Sequence, residues 1–256
     1  DLAITCASIR GNLPHVYRID YGRIGPPMAV AHLLLLRRFD HVVAMAEPMG
    51  RQVRRYIGVM PDIIGNFVDE GPLEMHRQKN PPSGMYRFVF LGSLSPRKKP
   101  LAAAEALYQL RQNGIDARLD MIGEGGLSGE VTAFVNRHGL EGAITLHGFL
   151  HDPSQFVASA DALVLPSLSE GLPRAAMEAL HLGVPCVLRR VDGNDELIQD
   201  DVNGKLFDRD DELVDAMHRA GQLSRTSGYR QSMLPNSFRQ NHAAAQYATL
   251  CGLDHD

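Results

Sequence analysis

Glu170 and Glu178 belong to a segment that combines carboxylates with the start of a predicted helix. Pro173 suits the first helical position, which places Glu170 before the helix and Glu178 within it. A carboxylate can accept two hydrogen bonds from a pair of sugar or ribose hydroxyls. The free N–H groups near Gly171 and Leu172 favour a phosphate. The segment therefore predicts a site for a phosphorylated, hydroxyl-rich ligand. The simpler alternative makes Glu170 a favourable N-terminal charge and Glu178 a surface acid.

A second charged segment contains three consecutive cations, Arg97, Lys98 and Lys99. They follow Gly92-Ser93, where an apolar strand is expected to end, and precede a helix that begins near Pro100. Cations beside a helix N-terminus can hold a diphosphate. A solvated basic loop is the alternative, and the place of this loop after a strand favours the diphosphate site.

The elements that must position these residues alternate regularly from residue 86 onward. Apolar strands at 86–91, 117–122, 144–146, 162–165 and 184–188, with a small edge strand at 205–207, are separated by helical segments. This alternation predicts a Rossmann-like domain of five or six parallel strands over residues 81–235. In such sheets ligands bind at the carboxyl ends of the strands. Four of these ends carry turn residues: 92–93, 123–125, 147–149 and 166–167. The glycines at 123–126 lack the spacing of a dinucleotide fingerprint, so we interpret them as a tight turn.

Residues 1–80 predict an incomplete α/β domain, with two or three strands and helices near 27–38 and 47–56. Residues 10–14, Arg-Gly-Asn-Leu-Pro, predict a turn. The polar stretch from 69 to 85 contains several prolines and is interpreted as a linker. A last helix is expected from about 237 to 250, within a C-terminal segment of residues 236–256.

Composition limits the function classes. The chain has 256 residues, a net charge of −4, 44% hydrophobic and 22% charged residues, which is ordinary for a globular protein and gives no basic footprint for nucleic acid. Its three cysteines are widely spaced and fit a reducing compartment, so a cytoplasmic protein is expected. No apolar run reaches membrane-spanning length and no signal peptide is visible.

Peripheral contact with the inner face of a membrane stays open, because arginines at 37, 38, 51, 54 and 55 lie beside the leucines at 33–36. Solvated helix faces over a leucine-rich core are the favoured alternative.

The combined pattern resembles the retaining glycosyltransferases of family four, which have the GT-B fold. The resemblance rests on Glu-Gly-Leu-Pro with a second Glu eight positions after the first, then Gly-Val-Pro-Cys-Val, Gly-Asn-Asp-Glu-Leu-Ile and Asn-Gly-Lys-Leu-Phe. It is dense from residue 86 to about 250 and weaker over residues 1–80, which look like the end of the acceptor domain. The final helix resembles the one that crosses back to brace that first domain.

The resemblance implies a role for each matching residue. Lys98 matches a lysine that contacts the donor diphosphate, and Ser93 stands where a companion arginine is usual, so Arg97 or Lys99 would replace that arginine. Glu170 matches the glutamate near the donor sugar, and Glu178 matches the one near the ribose. The remaining donor-binding positions are Gly92, Gly148, Phe149 and Leu150, the last three at the base pocket, and Gly171, Leu172 and Pro173 under the diphosphate and sugar. Glu170 and Lys98 are the candidate catalytic residues.

The implied activity is transfer of a sugar from a nucleotide-sugar to a saccharide or lipid-linked acceptor, with retention at the anomeric carbon and without a metal or cofactor. Synthesis of cell-surface polysaccharides or glycoconjugates is the expected setting. Two alternatives stay open: a GT-B-like nucleotide-sugar epimerase, and a truncated module that only binds nucleotide-sugar. Because several strands and a Gly-rich loop of the acceptor domain have no counterpart here, we expect these 256 residues to bind nucleotide-sugar but to transfer poorly.

Overall fold

The structure is a computed structural model, described for residues 4–77, 84–225 and 230–253. It confirms the predicted α/β class, with two parallel sheets in the described part of the chain. The strands are β1 (Cys6–Ile9), β2 (His41–Ala44), β3 (Asp62–Ile63), β4 (Tyr86–Leu91), β5 (Ala117–Ile122), β6 (Ile144–Gly148), β7 (Ala162–Leu165), β8 (Cys186–Arg189) and β9 (Gly204–Phe207). The helices are α1 (Leu13–Tyr21), α2 (Gly25–Leu35), α3 (Glu47–Ile57), α4 (Glu70–Glu74), α5 (Pro100–Gln112), α6 (Ser128–Arg137), α7 (Ser154–Ser159), α8 (Arg174–His181), α9 (Asn194–Leu197), α10 (Leu213–Leu223) and α11 (Gln240–Leu250).

The larger sheet has the strand order β6-β5-β4-β7-β8-β9, and all its pairings are parallel. Its central strands read as apolar runs because helices cover both faces, and β7 is buried at every position. This order is that of a doubly wound sheet. Chain direction across the sheet reverses between β4 and β7, which makes the ends of these two strands the switch point.

The smaller sheet has the order β1-β2-β3 within the described residues. Its strands are short, and it packs with the larger sheet's elements around one apolar core. A separate small cluster joins Val43 and Ile64 to Ala243 on α11, with Tyr247 packed against it. Helix α11 therefore contacts the N-terminal part of the chain.

Two local expectations need correction. Residues 10–14 were expected to form a turn, but α1 begins at Leu13, where the Asn12 side chain accepts the His15 N–H and Pro14 occupies the first turn. Pro173 is the N-cap of α8 with extended backbone, not its first helical residue, so α8 begins at Arg174. The predicted linker contains the short helix α4, and residues 78–83 of it lie outside the described residues.

Candidate functional site

The loops that follow β4 and β7 meet at the switch point of the larger sheet. The N–H of Leu168, after β7, donates to the carbonyl of Arg97, after β4, at 2.8 Å. The Arg97 guanidinium donates back to the carbonyl of Ser169 at 2.8 Å. These crossed bonds fix the two loops against each other, in the place where doubly wound sheets bind ligands.

Lys98 and Glu170 make the closest charged contact of this site. Lys98 Nζ lies 2.5 Å from Glu170 Oε1, and Arg97 Nη1 lies 3.9 Å from Glu170 Oε2. Glu170 is only 7% exposed, and these two cations are the charged partners that compensate the desolvation of its carboxylate. The 3-10 turn Pro96–Lys98 presents both cations, and it ends at Lys99, which has the left-handed φ of 49°.

Lys99 lies outside this pair. Its ammonium contacts Asp210, which also contacts the guanidinium of Arg189 at the end of β8. Arg97 and Lys99 were the two candidates to replace the family arginine that is Ser93 here. Of these two, only Arg97 contacts the loop that carries Glu170. Ser93 itself faces Ser95, with 3.2 Å between their hydroxyl oxygens.

A cavity of about 440 Å³ opens beside the ion pair. Its walls include six of the predicted donor-binding residues: Arg97, Lys98, Glu170, Gly171, Leu172 and Pro173. The first turn of α8 contributes Arg174 and Ala175, so free helix N–H groups border the cavity. Gly92 lies close by, because a Cβ placed on it would meet the Lys98 side chain at 3.7 Å. The cavity thus combines cations, a buried carboxylate and a helix N-terminus, which suits a phosphate joined to a sugar.

Gly148, Phe149, Leu150 and Glu178 do not line that cavity. Phe149 is 69% exposed after β6, and its N–H points to the Glu124 carboxylate at 3.4 Å. The tight-turn interpretation of residues 123–126 is supported here, since a Cβ on Gly123 would lie 2.0 Å from the carbonyl oxygen of Gly92. The glycines let the ends of β4 and β5 approach closely.

Glu178 is half-buried on α8, one turn after the cavity. Burial raises its pKa above the ordinary value of 4.5, Asp152 raises the pKa further, and Arg174, at 3.7 Å, lowers it.

Sequence reasoning missed three residues of the site. Arg10 lines the cavity from the N-terminal part of the chain, and its guanidinium lies 3.4 Å from Asn66 Oδ1. Asn66 in turn donates to the carbonyl of Leu172 at 3.3 Å. Asp192 accepts hydrogen bonds from the hydroxyl of Ser169 and the N–H of Glu170. Each acts over more than twenty sequence positions, and a single sequence carries no signal for such contacts.

His15 and His32 lie in the N-terminal part of the chain. His15 Nε2 lies 3.1 Å from the carbonyl oxygen of Leu168, and His32 Nδ1 lies 2.9 Å from the Tyr17 hydroxyl. Neither contact involves the Glu170 carboxylate. Glu196 accepts the Glu47 N–H at 2.9 Å and so ties α9 to α3.

Solved structures share this fold. Anabaena Alr3699/HepE in complex with UDP and glucose superposes with a TM-score of 0.77 at 19% identity, over 96% of this chain and 71% of that chain. The pneumococcal O-GlcNAc transferase GtfA, in complex with UDP and GlcNAc, gives a TM-score of 0.70 at 18% identity, over 98% of this chain and 53% of that one. At these identities the likeness shows the fold alone, which is of GT-B type.

Curated relatives match by sequence. The Escherichia coli UDP-Gal:alpha-D-GlcNAc-diphosphoundecaprenol alpha-1,3-galactosyltransferase is 32% identical over 127 residues, 48% of this chain and 33% of that protein. The D-inositol 3-phosphate glycosyltransferase of Arthrobacter sp. strain FB24 is 31% identical over 133 residues, 50% of this chain and 32% of that protein. The match therefore spans about a third of the length of these relatives. The family model "Glycosyl transferases group 1" matches residues 86–222, more than half of the chain. The chain belongs to the group 1 glycosyl transferases.

Proposed function

We propose that this protein transfers a sugar from a nucleoside-diphosphate sugar to a hydroxyl of a saccharide or lipid-linked acceptor, with retention of anomeric configuration. The observation that carries the proposal is the cavity at the switch point, where Lys98 and Arg97 face the Glu170 carboxylate beside the N-terminus of α8. This set can hold the diphosphate and the sugar of one donor together.

In the proposed reaction the bond between the anomeric carbon and the donor phosphate breaks, and a bond to the acceptor oxygen forms on the same face. The leaving phosphate gains negative charge, which Lys98, Arg97 and the N–H groups of α8 stabilise without a metal or cofactor. The departing phosphate oxygen takes the acceptor proton, so nucleoside diphosphate and glycoside are the products. Glu170 orients the sugar hydroxyls and forms no covalent bond.

The acceptor would approach from a second cleft of about 780 Å³. Its apolar walls come from β1, α1 and α2, and it shares Arg10, Arg97, Glu170 and Gly171 with the donor cavity. A hydroxyl in this cleft would reach the sugar next to Glu170. The Escherichia coli relative, which is named for a diphosphoundecaprenol-linked acceptor, supports the lipid-linked acceptor class.

We propose the cytoplasm, with an optional contact at the inner face of a membrane, as the site of action. In the described residues, no helix combines the length and the apolar character needed to cross a bilayer. A membrane contact would be read from sedimentation of the protein with vesicles of anionic lipid.

The test begins with calorimetry against UDP, UDP-glucose, UDP-galactose, UDP-N-acetylglucosamine and GDP-mannose. Products are then analysed by NMR with and without an acceptor, and the configuration of the new glycosidic bond is assigned. Transfer with retention is expected. An epimerised sugar formed without acceptor would identify an epimerase, and binding without any turnover would identify a binding module.

A further inference from the structure

Asp192 has an unusual backbone conformation in the turn between β8 and α9. Its φ is +51°, in the left-handed region that non-glycine residues seldom adopt, although Asp tolerates it better than most. Among the described non-glycine residues, only Lys99 and Asp201 share this feature. A residue stays in such a conformation when its surroundings determine it, and such residues cluster at functional sites.

The Asp192 side chain explains what this conformation achieves. One carboxylate oxygen, Oδ2, accepts the hydroxyl of Ser169 at 2.7 Å and the backbone N–H of Glu170 at 2.9 Å. Ser169 is fully buried and Glu170 nearly so. Hydrogen bonds to an ionised acceptor are roughly twice as strong as neutral ones. A single oxygen atom thus fixes the backbone from which the Glu170 carboxylate projects.

The Asp192 turn is itself held from several sides. A Cβ on the next residue, Gly193, would lie 2.7 Å from the Cβ of Ala46 and 3.3 Å from Leu172 Cδ2. On the far side of the turn, Glu196 accepts the N–H of Glu47 at 2.9 Å. The turn therefore packs between the N-terminal part of the chain and the loop under the cavity, and these contacts restrict its movement.

We propose that Asp192 is a positioning residue, which sets the orientation of Glu170 in the donor cavity and acts on the sugar only through Glu170. The proposal rests on the sugar-orienting role of Glu170 proposed above. It separates two properties of the site. Nucleoside diphosphate binding depends on Lys98 and Arg97, which Asp192 does not touch, whereas the turnover of bound donor depends on Glu170.

The test compares Asp192→Gly, Asp192→Asn and Asp201→Gly in the full chain. Asp192→Gly removes the acceptor and the backbone strain, while Asp192→Asn keeps a neutral oxygen acceptor. Asp201, with φ +59°, is the matched control for strain relief away from the site.

For Asp192→Gly we expect kcat to fall about 30- to 100-fold, since a displacement of a catalytic group by about 1 Å can lower the rate that much. UDP should bind no more weakly than to the wild type, because Lys98 and Arg97 are both retained and a displaced Glu170 carboxylate competes less for Lys98. Asp192→Asn should recover most of kcat, and Asp201→Gly should match the wild type.

Amide hydrogen exchange at Glu170 gives a second measurement that does not depend on transfer. The Glu170 N–H should exchange at least about tenfold faster in Asp192→Gly than in the wild type, and should stay protected in Asp192→Asn. Unchanged exchange at Glu170, an unchanged kcat, or an Asp192→Asn variant as inactive as Asp192→Gly would overturn the positioning role. A wild-type protein that neither binds nor turns over nucleotide-sugar would instead refute the proposed function, while the exchange measurement would still decide what Asp192 holds.

Discussion

Lys98 and Glu170 form an ion pair of 2.5 Å that joins the end of β4 to the end of β7 across the switch point of the sheet. Both residues were assigned to the donor, Lys98 to its diphosphate and Glu170 to its sugar. In the structure the two charges compensate each other. A diphosphate that binds Lys98 must therefore compete with the Glu170 carboxylate.

This competition predicts opposite effects of two substitutions on UDP binding. Glu170→Gln frees Lys98 and removes a negative charge beside the phosphates, so UDP should bind about fivefold more tightly, the equivalent of about 1 kcal/mol. Lys98→Met should weaken UDP binding and lower kcat/KM for transfer by about 10²- to 10³-fold. Calorimetry measures the first effect and initial rates the second. Lys205→Met, which removes a lysine at the far edge of the sheet, is the matched control. Weaker UDP binding by Glu170→Gln would contradict the competition.

Gly171 carries a steric requirement that the sequence pattern does not reveal. A Cβ on Gly171 would lie 2.0 Å from the backbone oxygen of Arg10, which cannot move as a flexible side chain could. We expect Gly171→Ala to destabilise the fold by about 1–3 kcal/mol, the usual cost of overpacking, and to lower transfer. Thermal unfolding measures the first effect. Gly142→Ala, at a position where a Cβ would meet nothing within 4 Å, is the control. Equal melting temperatures for the two variants would show that the N-terminal segment does not press on this loop.

The sequence pattern located Glu170 in the site, but it gave no sign of the close packing around Gly171. The alternation of strands and helices located the larger sheet and the strand ends, because buried parallel strands consist of continuous runs of apolar residues. Charged residues after those strands, such as Lys98 and Glu170, could then be assigned to one edge. The helix α1 was missed because Asn12 and Pro14, which here serve as its N-cap and first turn, are also common turn residues. Contacts set by packing, such as Arg10 against Gly171 or Asp192 against Glu170, join positions that no local pattern relates.

The position of Glu178 was predicted, but its electrostatics were not. Burial raises its pKa above 4.5, so the folded protein holds this proton more tightly than the unfolded chain does. The stabilising contribution is therefore complete below the ordinary glutamate pKa and is lost as the pH rises through the raised value. At pH 7.5 the buried charge opposes folding, and we expect Glu178→Gln to melt at a higher temperature than the wild type. The difference should shrink as the pH is lowered to about 4.5.

Protonation of Glu178, which favours folding, should weaken donor binding. If ribose hydroxyls donate to the Glu178 carboxylate, UDP affinity falls as acid protonates Glu178, beginning above pH 4.5. In Glu178→Gln the affinity is lower and this pH dependence is lost. Glu105→Gln, an exposed helix carboxylate on α5, should keep the wild-type profile. A Glu178→Gln variant with an unchanged UDP profile would remove Glu178 from the ribose site.

His181 lies one turn after Glu178 and joins α8 to two other parts of the chain. Its Nε2 lies 2.9 Å from Glu74 Oε1 on α4, and Arg239, before α11, places Nη1 3.2 Å from His181 Nδ1. Arg239 also binds Glu70 Oε2 at 2.7 Å. Because the guanidinium can only donate, Nδ1 of the neutral imidazole is the acceptor of this bond, which assigns the ring proton to Nε2.

Burial is the main cause that lowers the His181 pKa below its ordinary 6.5; Arg77 and Arg239 lower the pKa further, while Glu70 and Glu74 oppose them. Between the lowered pKa and 6.5 the unfolded chain therefore binds more protons than the folded protein. The stability that neutral His181 provides is present above pH 6.5 and is lost as the pH falls through the folded-state value. We expect the melting temperature to drop less between pH 7.5 and 5.5 in His181→Gln than in the wild type. His242→Gln, which replaces an exposed histidine on α11, should follow the wild type. An equal fall in the melting temperatures of His181→Gln and the wild type over this pH range would contradict the prediction. It would show that protonation of His181 does not weaken the contact between α4, α8 and α11.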